Sequence, residues 1–359
     1  MPRGPLTPRA KLLLPVVLIA LVGLSIHRLR IDPREATATP GAGGAQSPAI
    51  TVGGDTMGTT YKVKLVPRPG VDAAAVRGAV QAALEEVDAS MSTYRQDSEL
   101  SRFNASTSTD PVPISDGLHH VMEVALEVGR ASGGALDVTV GPLVDAWGFG
   151  PTERREPDAG ALSALRARVG LAKLGLDDRG LRKAASDLRV DLSAVAKGHA
   201  VDRVARALDR LRVEHYLVEV GGELSARGSR PDGEPWRVAI EKPDEARRAV
   251  ERVLPLSGSG LATSGDYRNY YEKDGKRRSH LIDPRSGLPI EHGLASVSVV
   301  HPRVAVADAW ATALSVLGPV AGPEVAEREG LSALFIVRQA DGGYRTQVTP
   351  AFAAAFPDK

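Results

Sequence analysis

Apolar and polar positions recur with two different periods along this chain. Thr60-Tyr-Lys-Val-Lys-Leu-Val66 alternates polar and apolar, the period of a half-buried strand. Residues 73–91 repeat at helical spacing, with Val76, Val80, Leu84 and Val87 on one stripe. Residues 116–132 do the same with Leu118, Val121, Val124 and Val128, and Gly133-Gly134 supply the stop that glycine gives past a helix end. A third helical pattern, over 194–211, turns Val201, Val204, Leu208 and Leu211 inward, and a late helix is predicted at 308–317. Strands are predicted at 188–192, 215–220, 236–240, 252–256, 278–282, 295–300 and 333–338. The elements mix without a regular βαβ rhythm, and hairpin-like turns crowd the second half. These patterns predict an α+β fold, largely antiparallel sheet with packed helices.

The N-terminal segment has a different pattern. Arg3, Arg9 and Lys11 precede an apolar run, Leu12 to Ile26, which reads as an export signal. The run is short against the roughly 20 residues of a full span. No small-residue cleavage site follows it closely; Ala36-Thr-Ala38 lies beyond His27, Arg28, Arg30 and Arg34. An uncleaved signal anchor over 1–30 is therefore expected, ahead of a cleaved signal peptide. Residues 31–49, rich in Gly, Pro and small side chains, read as a flexible linker, and one folded domain is expected over 50–359.

Composition narrows the partners. With 43% apolar and 25% charged residues the chain has a globular mix, and its formal net charge of +1 gives no reason to expect nucleic acid. It has no cysteine, so disulfides, thiolate metal sites, cysteine nucleophiles and a lipid-modified N-terminal cysteine are excluded.

Several stretches offer chemistry. In Asp191-Leu-Ser-Ala-Val-Ala-Lys-Gly198, Asp191 or Ser193 can cap a helix starting near Ala194. Free N–H groups there, with Lys197 one turn in, suit an anion, and Gly198 would let a ligand approach the backbone. Taken alone, the stretch reads first as a capped helix with a solvated lysine. Gly133 to Gly150 brackets a strand-like run with Asp137 inside it, an acid that is costly there unless hydrogen-bonded. Trp147 and Phe149 follow among glycines, where flat rings can face a planar ligand or fill a core. Asp308 and Thr312 are four apart on one helix face, an oxygen-only pair that suits Mg²⁺, or an N-cap and a threonine bonded to its own helix. Asp283-Pro-Arg-Ser-Gly287 is a turn preceded by His280, a histidine that could move protons. Met57 and Tyr94 are plausible walls for an aromatic ligand.

Read in order, these stretches resemble one family. TMGT at 56–59, MSTYRQDSELSRFN at 91–104, GGALDVTVGPLVDAWGFG at 133–150 and DLSAVAKGHAVD at 191–202 come first. EVGGEL at 219–224, ATSGDYRNYY at 262–271, SHLIDPRSG at 279–287 and ADAWAT at 307–312 follow. The series is similar to that of the ApbE family, the FAD:protein FMN transferases, from about Ile50 to Leu317.

The resemblance implies a bacterial enzyme at the periplasmic face of the inner membrane. It would split FAD at its pyrophosphate with Mg²⁺ and join the FMN half to a threonine or serine hydroxyl of an acceptor flavoprotein, releasing AMP. Acceptors of such enzymes are typically subunits of membrane redox complexes. Carried over position by position, Met57, Tyr94, Ala135, Leu136, Asp137, Asp191, Lys197 and Ile282 would contact FAD. The Ala194 carbonyl, Asp308 and Thr312 would hold Mg²⁺, and Thr263, Ser264 and Gly265 would line the phosphates. His280 and Asp308 are alternative proton acceptors. Many relatives carry a lipoprotein cysteine after the signal, which this chain lacks. An FAD pyrophosphatase, with water in place of the protein hydroxyl, and a non-catalytic flavin binder are the alternatives.

Overall fold

The computed structural model describes residues 49–150, 156–243, 249–266, 269–273 and 276–358. The expected anchor, and the linker up to residue 48, lie outside the described residues. The chain runs β1 (Ile50–Thr56), β2 (Thr59–Leu65), α1 (Ala73–Met91), α2 (Glu99–Ala105), α3 (Asp116–Ala131), α4 (Gly141–Ala146), α5 (Ala159–Arg166), β3 (Leu174–Asp177), β4 (Gly180–Lys183) and α6 (Ala196–Arg210). It continues through β5 (Tyr216–Val220), β6 (Glu223–Arg227), β7 (Trp236–Lys242), β8 (Ala249–Leu256), β9 (Ser259–Gly265), β10 (Tyr270–Lys273) and β11 (Lys276–Ser279). It ends with β12 (Ile282–Asp283), β13 (Leu288–Pro289), β14 (Leu294–His301), α7 (Val304–Arg328), β15 (Ser332–Arg338), β16 (Tyr344–Val348) and α8 (Pro350–Ala355).

Eight strands form one sheet in the order β1-β2-β5-β6-β9-β14-β15-β16, with every neighbouring pair antiparallel. Alternation along β2, β5, β14 and β15 turns Val63, Leu65, Val218, Val220, Val297, Val299, Ala333 and Phe335 into one core. The apolar stripes of α1, α3, α6 and α7 cover them, including the predicted Val80, Leu84, Val121, Val201 and Val204. The architecture is the expected α+β, with helices packed on an antiparallel sheet. Asp72, Ser98 and Ser115 cap α1, α2 and α3, each accepting from an N–H three residues on. Among the described residues only α7 is long and apolar enough to cross a membrane, but most of it lies inside this core.

Four expectations need correction. Residues 188–192 form no strand. Their backbone is held instead by the Asn104 amide, which donates to the Val190 carbonyl and accepts from its N–H at 2.8 Å each, and by the Val138 carbonyl on Asp191 N–H. The following helix starts at Ala196, two residues later than predicted, and its cap position, Val195, has no side-chain hydrogen bond. Residues 278–282 are not one strand: β11 ends at Ser279 and β12 begins at Ile282, leaving His280 in the break. Finally, α7 begins one turn before Asp308, which is therefore not its N-cap, and it kinks at Gly318 (φ +82°) just before Pro319.

Candidate functional site

The DLSAVAKGHAVD stretch organises the site by holding α7. Asp202, on α6, accepts from the N–H groups of Val304 and Ala305 at 2.9 and 3.0 Å, satisfying the free donors at the start of α7. Gly198 lies where the helices cross. A Cβ there would come within 2.4 Å of the Val304 carbonyl oxygen, so the glycine serves helix contact rather than approach of a ligand. That closeness brings Gly198 N–H to Asp308 Oδ2 at 2.9 Å.

Lys197 then lies between two buried carboxylates. Its Nζ is 3.1 Å from Glu223 Oε1 and 3.3 and 3.4 Å from Asp308 Oδ1 and Oδ2. The Glu223 and Asp308 side chains are 4% and 5% exposed, whereas Lys197 keeps 36% of its side chain open, so the cluster is closed except along the lysine. Burial pulls the ammonium pKa down, but attraction to Asp308 and Glu223 outweighs it, and Lys197 stays charged far above its ordinary value. Burial raises Asp308, opposed by Lys197 and the Gly198 N–H. Burial likewise pushes Glu223 up to about 8, opposed by Lys197. Glu223 sits inside the EVGGEL stretch, yet sequence reasoning gave it no role; an acid directly after two glycines at the start of a strand was the available signal.

Three loops reach towards this cluster or towards one another. Thr56 to Thr59 closes the β1–β2 hairpin, with φ of +44° at Met57 and +69° at Gly58. That is the sign pattern of a type I′ turn, and a non-glycine residue at positive φ is strained. The turn abuts the cluster: a side chain at Gly221 would meet Thr59 Cγ2 at 3.2 Å and Lys197 Cδ at 3.3 Å. The Gly133–Asp137 segment is a loop rather than a strand. Asp137 is buried with both oxygens bonded: Oδ1 accepts from Thr139 N–H and hydroxyl and Oδ2 from Leu171 N–H. Asp191 lies beside this loop, its N–H on the Val138 carbonyl and its carboxylate on Ser193 N–H at 2.8 Å, an Asx turn instead of a helix cap. The Asp283–Gly287 turn completes the group, with Arg285 Cγ beside Gly134 and the Gly287 carbonyl bonded by Trp147 Nε1 at 2.8 Å.

His280 stands in the break between β11 and β12. Its Nδ1 lies 2.9 Å from the Asn269 carbonyl, which only accepts, so Nδ1 carries the proton and Nε2 is left as an acceptor. Burial lowers its pKa, opposed by the Asn269 carbonyl and the Asp266 charge. Phe149 lies against it, ring centroids 6.3 Å apart.

The remaining predicted residues are not all gathered by their side chains. Ala135 and Leu136 are buried, as are Ile282 and Trp147, which share a small apolar cluster with Leu143 and Val169. Contact with a ligand at these positions would be through backbone. Thr263 and Ser264 are neighbours on β9 and point to opposite sheet faces; Thr263 bonds Ser298 across the strand pair at 2.7 Å. Tyr94 is 86% exposed in the loop after α1. Ala194 lies in the turn before α6, and Thr312 one turn beyond Asp308 on α7.

Chemically, the cluster offers a fixed ammonium open on one side and two adjoining carboxylates, and His280, mounted separately between β11 and β12, offers an imidazole acceptor. That set suits a polyphosphate whose charge is stabilised and a proton that must be removed.

Comparison with known proteins places the chain in a family. A family model described as the ApbE family matches residues 57–335. The chain is 42% identical over 339 residues to the FAD:protein FMN transferase of Klebsiella pneumoniae (strain 342), covering 93% of this chain and 95% of that one. It is 44% identical over 308 residues to the FAD:protein FMN transferase of Escherichia coli (strain K12), covering 83% and 87%. Among solved structures, the apo form of Pseudomonas stutzeri flavinyl transferase ApbE superposes with a TM-score of 0.81 at 43% identity, covering 87% of this chain and 98% of that one. The flavin transferase ApbE from Vibrio cholerae gives a TM-score of 0.79 at 43% identity, covering 86% and 99%. The chain belongs to the ApbE family.

Proposed function

We propose that this protein is an FAD:protein FMN transferase. The observation that carries the reading is Lys197, held between Asp308 and Glu223 and partly open, its stem and Thr59 of the Met57 turn both beside Gly221. In the reaction the acceptor hydroxyl oxygen attacks the FMN-side phosphorus of FAD. The new P–O bond forms as the bond to the AMP oxygen breaks, and AMP leaves with the electron pair. Lys197 faces the pyrophosphate and stabilises the charge that builds there. Both Asp308 oxygens are engaged by Lys197 and Gly198, whereas His280 Nε2 is a ready acceptor, so His280 takes the hydroxyl proton.

The residues fit Mg²⁺. Asp308, the Thr312 hydroxyl one turn on and the Ala194 carbonyl are an oxygen-only set. Among the described residues no three His, Asp or Glu side chains converge as an all-protein cage. Mg²⁺, which retains several waters, needs no such cage. When bound there it would neutralise charge on the pyrophosphate oxygens. The apolar run at Leu12–Ile26 supports an anchored protein at the periplasmic face of the inner membrane, with an acceptor flavoprotein of a membrane redox complex as partner. Fractionation of cells carrying the full chain checks the anchor: recovery in the soluble periplasmic fraction would exclude it.

Intact-mass analysis tests the activity. The full chain, FAD, Mg²⁺ and a redox-subunit domain bearing an exposed threonine motif should yield an acceptor heavier by FMN less water, and EDTA should abolish the gain. Free FMN and AMP without acceptor modification would replace the transferase reading with a pyrophosphatase.

A further inference from the structure

Glu223 begins β6 directly after Gly221-Gly222, and its two carboxylate oxygens are treated differently. Oε1 meets Lys197 Nζ at 3.1 Å, while Oε2 is buried with no hydrogen-bond partner among the described residues. Leaving a buried carboxylate oxygen without a partner is costly. Lys197 is correspondingly over-subscribed. Its three protons face Glu223 Oε1 at 3.1 Å, Asp308 Oδ1 at 3.3 Å, Asp308 Oδ2 at 3.4 Å and the Ser193 carbonyl at 3.5 Å. Three carboxylate oxygens and a carbonyl thus share one ammonium in a nearly closed site. A divalent cation held by Asp308 would compete with the ammonium for its oxygens, which Lys197 and Gly198 N–H already engage, and its charge would repel the lysine. Glu223 is then the remaining buried carboxylate within reach, with an unused oxygen to offer.

We propose that Glu223 is a positioning residue: it takes over the Lys197 ammonium when Asp308 turns to a divalent cation, and so keeps that ammonium facing the FAD pyrophosphate. The inference rests on the Mg²⁺ reading of Asp308 above. It predicts a second state of the same three side chains, in which Lys197 leaves Asp308 and stays on Glu223.

The test uses Mn²⁺ as the probe, with the full chain in detergent and free Mn²⁺ read by electron paramagnetic resonance. Glu223→Gln should weaken Mn²⁺ binding about tenfold, because the ammonium then stays on Asp308. Lys197→Met added to Glu223→Gln should restore affinity to within about threefold of wild type, since nothing then competes for Asp308. A crystal structure of the wild type with Mn²⁺ should show Lys197 Nζ hydrogen-bonded to Glu223 and withdrawn from Asp308. Wild-type affinity in Glu223→Gln, no recovery in the double variant, or Glu223 Oε2 bonded directly to Mn²⁺ would each overturn the proposal. If Glu223→Gln does not fold, Lys197→Met alone decides. Its Mn²⁺ affinity should hold or rise while FAD affinity, followed by flavin fluorescence, falls, and a drop in Mn²⁺ affinity would overturn the proposal. Unchanged Mn²⁺ affinity in Asp308→Asn would instead remove the Mg²⁺ reading, and this inference with it.

Discussion

Asp308 and Tyr94 are placed in opposite ways, and their variants should separate turnover from binding. Asp308 is buried and bonded by Gly198 N–H and Lys197. Asp308→Asn keeps an acceptor for the N–H but removes the charge, so Mg²⁺-dependent FMN transfer should fall at least about a hundredfold. FAD affinity, read by flavin fluorescence, should fall far less; unchanged transfer would rule out the metal assignment. Tyr94 is 86% exposed and so contributes little to the fold. Tyr94→Ala should leave unfolding free energy within about 0.5 kcal/mol of wild type. If its ring covers the flavin, FAD affinity should drop about tenfold with the bound-state rate kept. Wild-type affinity would take Tyr94 out of the site. Sequence singled out Tyr94 by its motif and Asp308 by its spacing to Thr312, and the structure brings Asp308 to Lys197 and Gly198. Glu223 was not singled out, because its importance lies in which side chains surround it, and those come from α6 and α7.

Among elements, the contact between α6 and α7 and the mount of His280 matter most. A methyl group at Gly198 would have to enter the Val304 backbone, 2.4 Å from its carbonyl oxygen, so the helices must part. Gly198→Ala should cost on the order of 2–3 kcal/mol in urea unfolding and weaken the Gly198–Asp308 bond that places the carboxylate. The β10–β11 hairpin carries His280 and is tied to the main sheet at Asp266. Arg338, at the end of β15, bonds both Asp266 oxygens at 2.6 and 3.0 Å, and Arg277 on β11 bonds the Asp266 carbonyl. Lysine at 338 keeps the charge but loses the two-pronged fit. Arg338→Lys should therefore slow FMN transfer by about ten- to a hundredfold at saturating FAD, through displacement of His280, with little change in FAD affinity. Equal losses in both would mean that the hairpin holds FAD rather than aiming the histidine. Element prediction succeeded where period was local, as in α1, whose bounds match residues 73–91, and α3. It failed at 188–192, where the alternating Leu-Arg-Val-Asp-Leu looked like a strand but its partners are the Asn104 amide and a loop carbonyl. No local pattern encodes those partners.

At the scale of the molecule, the sheet order brings β6 and β9, hard to read from sequence behind their glycines, into the centre between β5 and β14. The site forms where α6 and α7 cross above these strands, so its assembly depends on how the whole helical layer is seated. His199 reports on that seating. It is 2% exposed on α6, its ring 6.0 Å from His120, with Nδ1 unpartnered among the described residues. Burial lowers its pKa to about 3, and the nearby Arg206, His120 and Arg203 add to the effect. In the unfolded chain it titrates near 6.5. Above that value both states are neutral and the histidine adds no pH dependence. As pH falls from about 6.5 towards 3, the unfolded state takes up a proton that the folded state refuses, and stability declines. Between pH 6 and 5 the loss from this one group should be about 1 kcal/mol. Burial also raises Asp202 and the carboxylates of the site, so the measurement is a difference: urea unfolding of wild type and His199→Leu at pH 7.5, 6 and 5. The wild type should lose stability faster than the variant on acidification. Parallel profiles would show that His199 takes its proton in the folded state, and that the helical layer opens to admit charge beneath α6.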